Sequence, residues 1–315
     1  MVNIEHKDVL ELLDAGTCTA LMERTLADLE LGKGVQYLRG VTPLPSHDLL
    51  GFMPAYLGED FFGAKVITVF HRNQEEGYPS HQGTVLLFDS PHGSLQAMVD
   101  GGAVTQVRTG AVSAVATKHL ARPDAKRLAL LGCGAQAVSH LEAIRLVREL
   151  EEVTVWDISG RRADEFAQRM GAQTGLPIRP CANVEAAVAD ADIICTLTPS
   201  TTPILEGGWV KPGAHVNAVG ACRAQDRELA TDLVVRSKLY CDAMESILVE
   251  GGDFLIPKGE GAVDDSHIRG SLGQVITGRC PGRESPAEIT LFEALGLAIE
   301  DIAAAKAAYL AKRGG

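Results

Sequence analysis

The sequence is short of positive charge. Its 41 acidic residues outnumber 29 lysines and arginines, for a formal net charge of −12, and that balance argues against nucleic acid or an anionic membrane surface as a partner. No block of like charge marks an interaction tail. No uninterrupted apolar run approaches the length needed to span a bilayer, and residues 1–16 carry acids but no long apolar core, so no signal peptide is expected. The seven cysteines, Cys18, Cys133, Cys181, Cys195, Cys222, Cys241 and Cys280, form no C-x-x-C pair. The nine histidines include no H-x-x-H or H-E-x-x-H spacing. No metal site is therefore expected, and the cysteines read as reduced, mostly buried small residues of a cytoplasmic protein. Aromatics are scarce at 5%, but 46% hydrophobic and 22% charged residues together describe a globular chain.

What is present centres on residues 128–157. Leu128, Ala129, Leu130 and Leu131 are long enough for one buried strand. Gly132, Gly134 and Ala137 follow as G-x-G-x-x-A. A helical period then sets Val138, Leu141, Ile144 and Leu146 on one face, with Glu142, Arg145 and Arg148 outside. A second apolar run, 153–156, ends in Asp157. Strand, glycine turn, helix and strand in this register describe a dinucleotide site. Gly132 permits the tight turn, Gly134 lets the backbone approach a pyrophosphate, and Ala137 allows close helix–strand packing. Ala135 and Gln136 open the helix at its anion-facing end, and Ser159 follows the acid. Asp157 can accept hydrogen bonds from the adenosine ribose hydroxyls, which favours NAD and repels a 2′-phosphate. Arg161 and Arg162 could still admit NADP, or could simply face solvent.

At 315 residues, two domains are expected. Residues 4–31 have helical spacing, with Leu10, Leu13, Ala20, Leu21, Leu26 and Leu29 on buried positions. Short β-like runs at 35–38, 49–53, 65–70, 84–88 and 94–99, separated by turn residues, predict a mostly antiparallel sheet. Residues 109–120 form an Ala-rich helix that Thr109 opens. After Asp157, helices at 161–170 and 184–188 alternate with strands at 192–197, 215–219 and 239–242, predicting a parallel, doubly wound sheet. Thr198 and Val219 close two of those strands, where ligands of such sheets bind. Residues 289–311 read as a long terminal helix striped by Leu295, Leu297, Ala298, Ile299 and Ile302.

Three cations stand in the β-like region: Arg39, Lys65 and Arg108. Singly, each reads equally as an edge charge or a snorkelling side chain. Together, upstream of a nicotinamide-type site, they suggest a pocket for an anionic substrate, with Arg gripping a carboxylate and Lys supplying a charge or a proton. His81 sits in a turn before residues 84–88, open to either a turn or a pocket role. Cys222 follows a strand directly; a nucleophile there would need a lowered thiol pKa, and a small pocket-lining residue is the simpler reading.

These residues carry a family resemblance along nearly the whole chain. The segments Gly51-Phe52-Met53-Pro54-Ala55-Tyr56, Pro79-Ser80-His81-Gln82 and Thr84-Val85-Leu86-Leu87-Phe88-Asp89 resemble the ornithine cyclodeaminase/mu-crystallin family. So do Arg108-Thr109-Gly110-Ala111, the run from Trp209 through Asn217-Ala218-Val219-Gly220-Ala221, and residues 290–301. The resemblance implies an α/β fold: a Rossmann doubly wound parallel sheet (121–288) inserted into an α+β substrate/dimerisation domain (1–120 and 289–315). It implies a homodimer, and Arg39, Lys65 and Arg108 at the substrate carboxylate and reacting group. Met53, His81, Cys222 and Arg223 are further candidates for the substrate pocket. Family members interconvert α-imino acids and amino acids with a nicotinamide cofactor. Cyclodeaminases and alanine dehydrogenases of the family carry an aspartate where this chain has Cys222. Ala221-Cys222-Arg223 is closer to the ketimine-reductase branch. The expectation is therefore NAD(P)H-dependent reduction of a small ketimine of the Δ1-pyrroline-2-carboxylate type, with NAD(H) preferred. Ornithine cyclodeaminase, alanine dehydrogenase and a non-catalytic ligand-binding protein are the alternatives.

Overall fold

The computed structural model describes residues 1–45, 48–58, 60–70, 73 and 77–314. The chain divides into two units, Met1–Arg108 with Leu297–Gly315, and Thr109–Gly296.

The first unit is laid out by the period-two alternation of its strands. In chain order it holds β1 (Val2–Ile4), α1 (His6–Leu12), α2 (Ala15–Glu30), β2 (Val35–Gln36), β3 (Gly40–Pro43), β4 (Leu49–Tyr56), β5 (Phe61–Val69), β6 (His81–Asp89) and β7 (Leu95–Asp100). The strands form one sheet in the order β1-β7-β6-β5-β4-β2, with β3 also on β4. Pairing is antiparallel from β7 to β2, as the sequence predicts, and β1 joins β7 in parallel. One ladder row runs Met53, Lys65, Val85, Val99, and all four side chains are buried. Burying each aliphatic member contributes roughly 1.5–3 kcal/mol; the lysine in the same row needs charge partners to be there at all. The opposite face is open: Leu50 and Phe52 are 38% and 51% exposed.

The helical run expected over 4–31 is two helices. Asp14 caps the second, its Oδ1 accepting from Thr17 N at 2.9 Å and its Oδ2 from the Thr17 hydroxyl at 2.6 Å. The cap resets the phase, so the buried stripe is Cys18, Met22 and Leu26, while Leu10 and Ala20 face solvent. The next helix, α3 (Gly101–Leu120), begins eight residues before its expected start. Asp100 accepts from Ala103 N at 2.7 Å and starts it early.

In the second unit follow β8 (Arg127–Leu131), α4 (Ala135–Ile144), β9 (Glu152–Trp156), α5 (Gly160–Thr174), β10 (Ile178–Pro180), α6 (Val184–Val188), β11 (Ile193–Thr196) and β12 (His215–Ala218). Then come α7 (Thr231–Arg236), β13 (Ser237–Cys241), α8 (Met244–Glu250), α9 (Gly252–Gly259), β14 (Ile268–Ser271), α10 (Leu272–Ile276) and β15 (Ile289–Glu293). All eight strands are parallel, in the order β10-β9-β8-β11-β12-β15-β13-β14. This is the doubly wound sheet expected, and its order reverses between β8 and β11, the topological switch point where such sheets bind ligands.

Three expectations need correction. Residues 289–293 are not helical: Ile-Thr-Leu-Phe-Glu is buried at every position and pairs with β12 on one side and β13 on the other. A strand buried on both faces shows no alternation and is easily confused with a buried helix. The terminal helix, α11 (Ala298–Gly314), starts only after Gly296, whose φ is 78°. The two compact units themselves divide at 108/109 and 296/297. At the first of these, α3 belongs to the second unit from Thr109 on: a Cβ on Gly110 would stand 2.6 Å from the Ser139 backbone of α4, a separation only glycine permits. Leu146 lies beyond the end of α4 and is exposed.

Candidate active site

In the first unit α11 packs on β4, β5 and β6 and brings two acids to the buried lysine. The Lys65 ammonium lies 2.7 Å from Asp301 Oδ2 and donates to the Thr105 hydroxyl at 3.2 Å. Arg108 donates from Nε to Asp301 Oδ1 at 3.0 Å and from Nη1 to Glu300 Oε2 at 2.9 Å. Glu300 Oε2 also accepts from Leu297 N at 3.2 Å. Glu300 and Asp301 are wholly buried, and Lys65 and Arg108 are 2% and 5% exposed. Two cations and two carboxylates thus form a neutral, dry cluster. Isolated buried charges of this kind are costly, and each survives here because its partners are fixed. Burial lowers the Lys65 ammonium to about 8; Asp301 opposes that shift, while the charges of Arg108 and Arg39 add to it. An acid near 8 is protonated at neutral pH and still a competent proton donor.

The structure brings Arg39, Met53, Lys65 and Arg108 together: Met53 is the direct ladder neighbour of Lys65, and the Arg39 charge is felt there. His81 is not in this group. It pairs with Val69 at the far end of the same ladder, exposed, four residues and so about 13 Å along the strand from Val85, the ladder partner of Lys65. Glu300 and Asp301 were missed by sequence reading. Their signal was a pair of adjacent acids inside an apolar helical stripe.

The second unit carries the dinucleotide fingerprint. Gly132 closes β8 with a φ of 105°, and a Cβ there would stand 2.8 Å from Leu197 O. Gly134 is the N-cap of α4, exposed, and a Cβ on it would meet nothing within 4 Å. Among the described residues no side chain caps that helix, and an N-terminal end of this kind, opening at Ala135 and Gln136, suits an anion. Ala137 is fully buried. Asp157 ends β9, accepting from Cys133 N at 3.0 Å and Ser159 N at 2.9 Å. Its carboxylate is thereby held beside the glycine turn. An open cradle at Gly134, a helix N-terminus and an anchored acid fit a dinucleotide. Thr109 is buried on α3, and Thr198 and Val219 follow β11 and β12. Cys222 is half-buried, and Arg223 pairs with Asp226 at 2.5 Å. Among the described residues no group of three or more His, Cys, Asp or Glu side chains has metal-binding geometry, and no helix is long and apolar enough to cross a membrane.

The model of the ornithine cyclodeaminase/mu-crystallin family matches residues 2–314. The chain belongs to that family. The rat ketimine reductase mu-crystallin is 41% identical over 293 residues, covering 91% of this chain and 90% of the rat protein. The Thermococcus litoralis Δ1-pyrroline-2-carboxylate reductase, solved with NADH and L-proline, superposes with a TM-score of 0.97 at 36% identity, covering 100% of this chain and 98% of that one. An archaeal alanine dehydrogenase dimer with bound NAD gives 0.95 at 29% identity, covering 100% and 96%.

Proposed function

We infer that this chain is an NAD(P)H-dependent imino-acid reductase that converts a small cyclic ketimine carboxylate, of the Δ1-pyrroline-2-carboxylate type, to the corresponding amino acid. The observation that carries this reading is the Lys65 ammonium, buried against Asp301 and lowered to about 8. Reduction of C=N needs one hydride on carbon and one proton on nitrogen. When bound, the reduced nicotinamide supplies the hydride. Lys65 supplies the proton and is reloaded from water, while Asp301 holds the ammonium in place and remains a carboxylate. Arg39 and Arg108 meet the substrate carboxylate. Two of the Arg108 nitrogens serve the acids, so that side chain is a shared support more than a simple fork for substrate.

The rat relative named a ketimine reductase and the Thermococcus reductase holding NADH and L-proline support this substrate class. Cys222 weighs against ornithine cyclodeamination, since a thiol is a poor substitute for a carboxylate that shuttles protons to an amine. Asp226 does not replace it, because its carboxylate is paired with Arg223. Asp157, anchored at the tip of β9, favours NADH over NADPH.

The chain works as a homodimer in the cytoplasm on this reading. Exposed Leu50, Phe52, Val41 and Leu38 on and around the open sheet face offer an apolar surface for a second copy, and all seven cysteines are unpaired, as a reducing compartment requires. A monomer in sedimentation velocity would remove the first claim, and cell fractionation tests the second. The deciding assay follows NADH and NADPH oxidation with Δ1-pyrroline-2-carboxylate, beside ornithine and beside pyruvate with ammonia. Oxidation with the cyclic imine is expected. Turnover of ornithine without turnover of the imine would overturn the reading.

A further inference from the structure

The loops after β11 and β12 lie at the carboxyl edge of the parallel sheet, where ligands of such sheets bind. They are tied together by a side chain near the far end of the second loop, just before α7. Glu228, wholly buried, accepts through Oε1 from Thr198 N at 2.8 Å and the Thr198 hydroxyl at 2.6 Å, and through Oε2 from Gly220 N at 2.8 Å. The segment bearing Glu228 is itself anchored, because Asp253 Oδ1 accepts from the backbone N–H of Glu228 at 2.9 Å and of Leu229 at 2.8 Å. The parts are pressed close. A Cβ on Gly220 would stand 2.1 Å from Thr198 O and 2.5 Å from Glu228 Oε2. One on Gly132 would stand 2.8 Å from Leu197 O and 3.2 Å from Thr198 Cγ2. The first fingerprint glycine, the Thr198 loop, Glu228 and Gly220 are thus one continuous series of contacts.

A buried carboxylate with no ion pair among the described residues is an expensive way to join two loops, and three convergent donors are what keep it in place. We propose that Glu228 is a positioning residue for hydride transfer. It fixes Thr198 and Gly220, and through them the surface against which the nicotinamide half of the cofactor rests. The proposal depends on the assignment of Thr198 and Val219 to the cofactor site. Glu228 touches neither substrate nor cofactor; it acts through the two loops.

The test is Glu228→Gln, measured as the KM for NADH, the KM for the ketimine at saturating NADH, kcat and Tm. Glutamine keeps the shape but turns an N–H₂ toward one of the backbone donors, a loss comparable to leaving a buried polar group unsatisfied. The KM for NADH should rise about tenfold or more with kcat reduced, while the ketimine KM stays within about twofold. Thr198→Val should act in the same direction, and the double variant should lose less than the product of the singles. If E228Q does not fold, Glu228→Asp replaces it: the charge remains but the shorter arm cannot span both loops, and the same selective rise is expected. An unchanged KM for NADH and kcat, equal loss for both substrates, or a lowered Tm alone each overturns the proposal. A wild-type protein that fails to bind NADH overturns the cofactor assignment and this inference together.

Discussion

The two units bury charge in opposite ways. The first buries cations and acids together, so that Lys65, Arg108, Glu300 and Asp301 compensate one another within 3.0 Å. The second buries Glu228, Asp242, Asp253 and Glu293 most deeply, and no ion pair reaches Glu228, Asp253 or Glu293 among the described residues, whereas its less deeply buried Asp192 and Asp226 are paired. The consequences follow from desolvation. Burial pushes Glu293 well above the ordinary carboxyl range, helped by the charges of Asp253 and Asp242, and pushes Asp253 up to about 8, helped by the charge of Glu228. His140 and His215, also fully buried in the second unit, are driven down to about 4 and about 3. Compensation keeps a group charged and able to do chemistry; its absence leaves Asp253, His140 and His215 uncharged near neutral pH and confines them to holding the fold. The first unit's charges should therefore govern turnover, and the second unit's should govern architecture and cofactor.

The sharpest break of this contrast is Lys65→Met. It keeps the length of the side chain and deletes the proton donor, so kcat should fall about 10²–10⁴-fold, with NADH affinity unchanged because the fingerprint lies in the other unit. A variant that retains turnover would sink the role given to Lys65. The wild-type profile provides the matching test. The working form is the ammonium, with its pKa lowered to about 8, so kcat should hold below that value and decline as pH rises through it. A rate that climbs across pH 8 would mean Lys65 acts as a base.

A smaller effect is expected from Asp157→Ser. It removes the carboxylate that excludes a 2′-phosphate and leaves Arg162, exposed one turn into α5, available to it. The ratio of NADPH to NADH efficiency should rise about tenfold or more. Some activity with both cofactors will be lost, because Asp157 also supports the backbone of Cys133 in the glycine turn. If the ratio does not move, cofactor choice is made elsewhere.

Legibility in the sequence followed the range of each interaction. The fingerprint and Asp157 lie within one strand–helix–strand unit, and every residue of it could be read locally. Lys65 was conspicuous because a lysine in a β-branched run breaks a two-residue pattern. Glu300 and Asp301 were invisible as partners because Arg108 meets them across 192 and 193 residues, a separation no periodicity reports. Glu228 was hidden for a different reason: in Arg223-Ala224-Gln225-Asp226-Arg227-Glu228 it looks like one more charge in a solvated loop. The strand at 289–293 was misread because a central parallel strand is apolar throughout and its neighbours, β12 and β13, come from elsewhere in the chain. His81 was the converse, a turn histidine whose place at a strand end took it away from the cluster.

The smallest effect concerns stability and tests the second unit's side of the comparison. Asp253 Oδ1 accepts two backbone N–H groups, while Oδ2 has no hydrogen-bond partner among the described residues. Burial, and then the charge of Glu228, hold its pKa near 8 against an ordinary value of 3.8. Between those values the folded protein keeps a proton that the unfolded chain has released, so this residue's contribution to stability is full below 3.8 and is lost as pH rises toward 8. Asn never ionises, and its carbonyl can take over both backbone donors. The Tm difference between Asp253→Asn and wild type should therefore be more favourable to the variant at pH 9 than at pH 5, by roughly 2–4 °C. His140 and His215 pull the other way, costing stability on acidification below their ordinary pKa, but both proteins share them and the subtraction removes their effect. A Tm difference independent of pH would show that Asp253 is ionised in the folded state, and that the second unit compensates its buried acids after all.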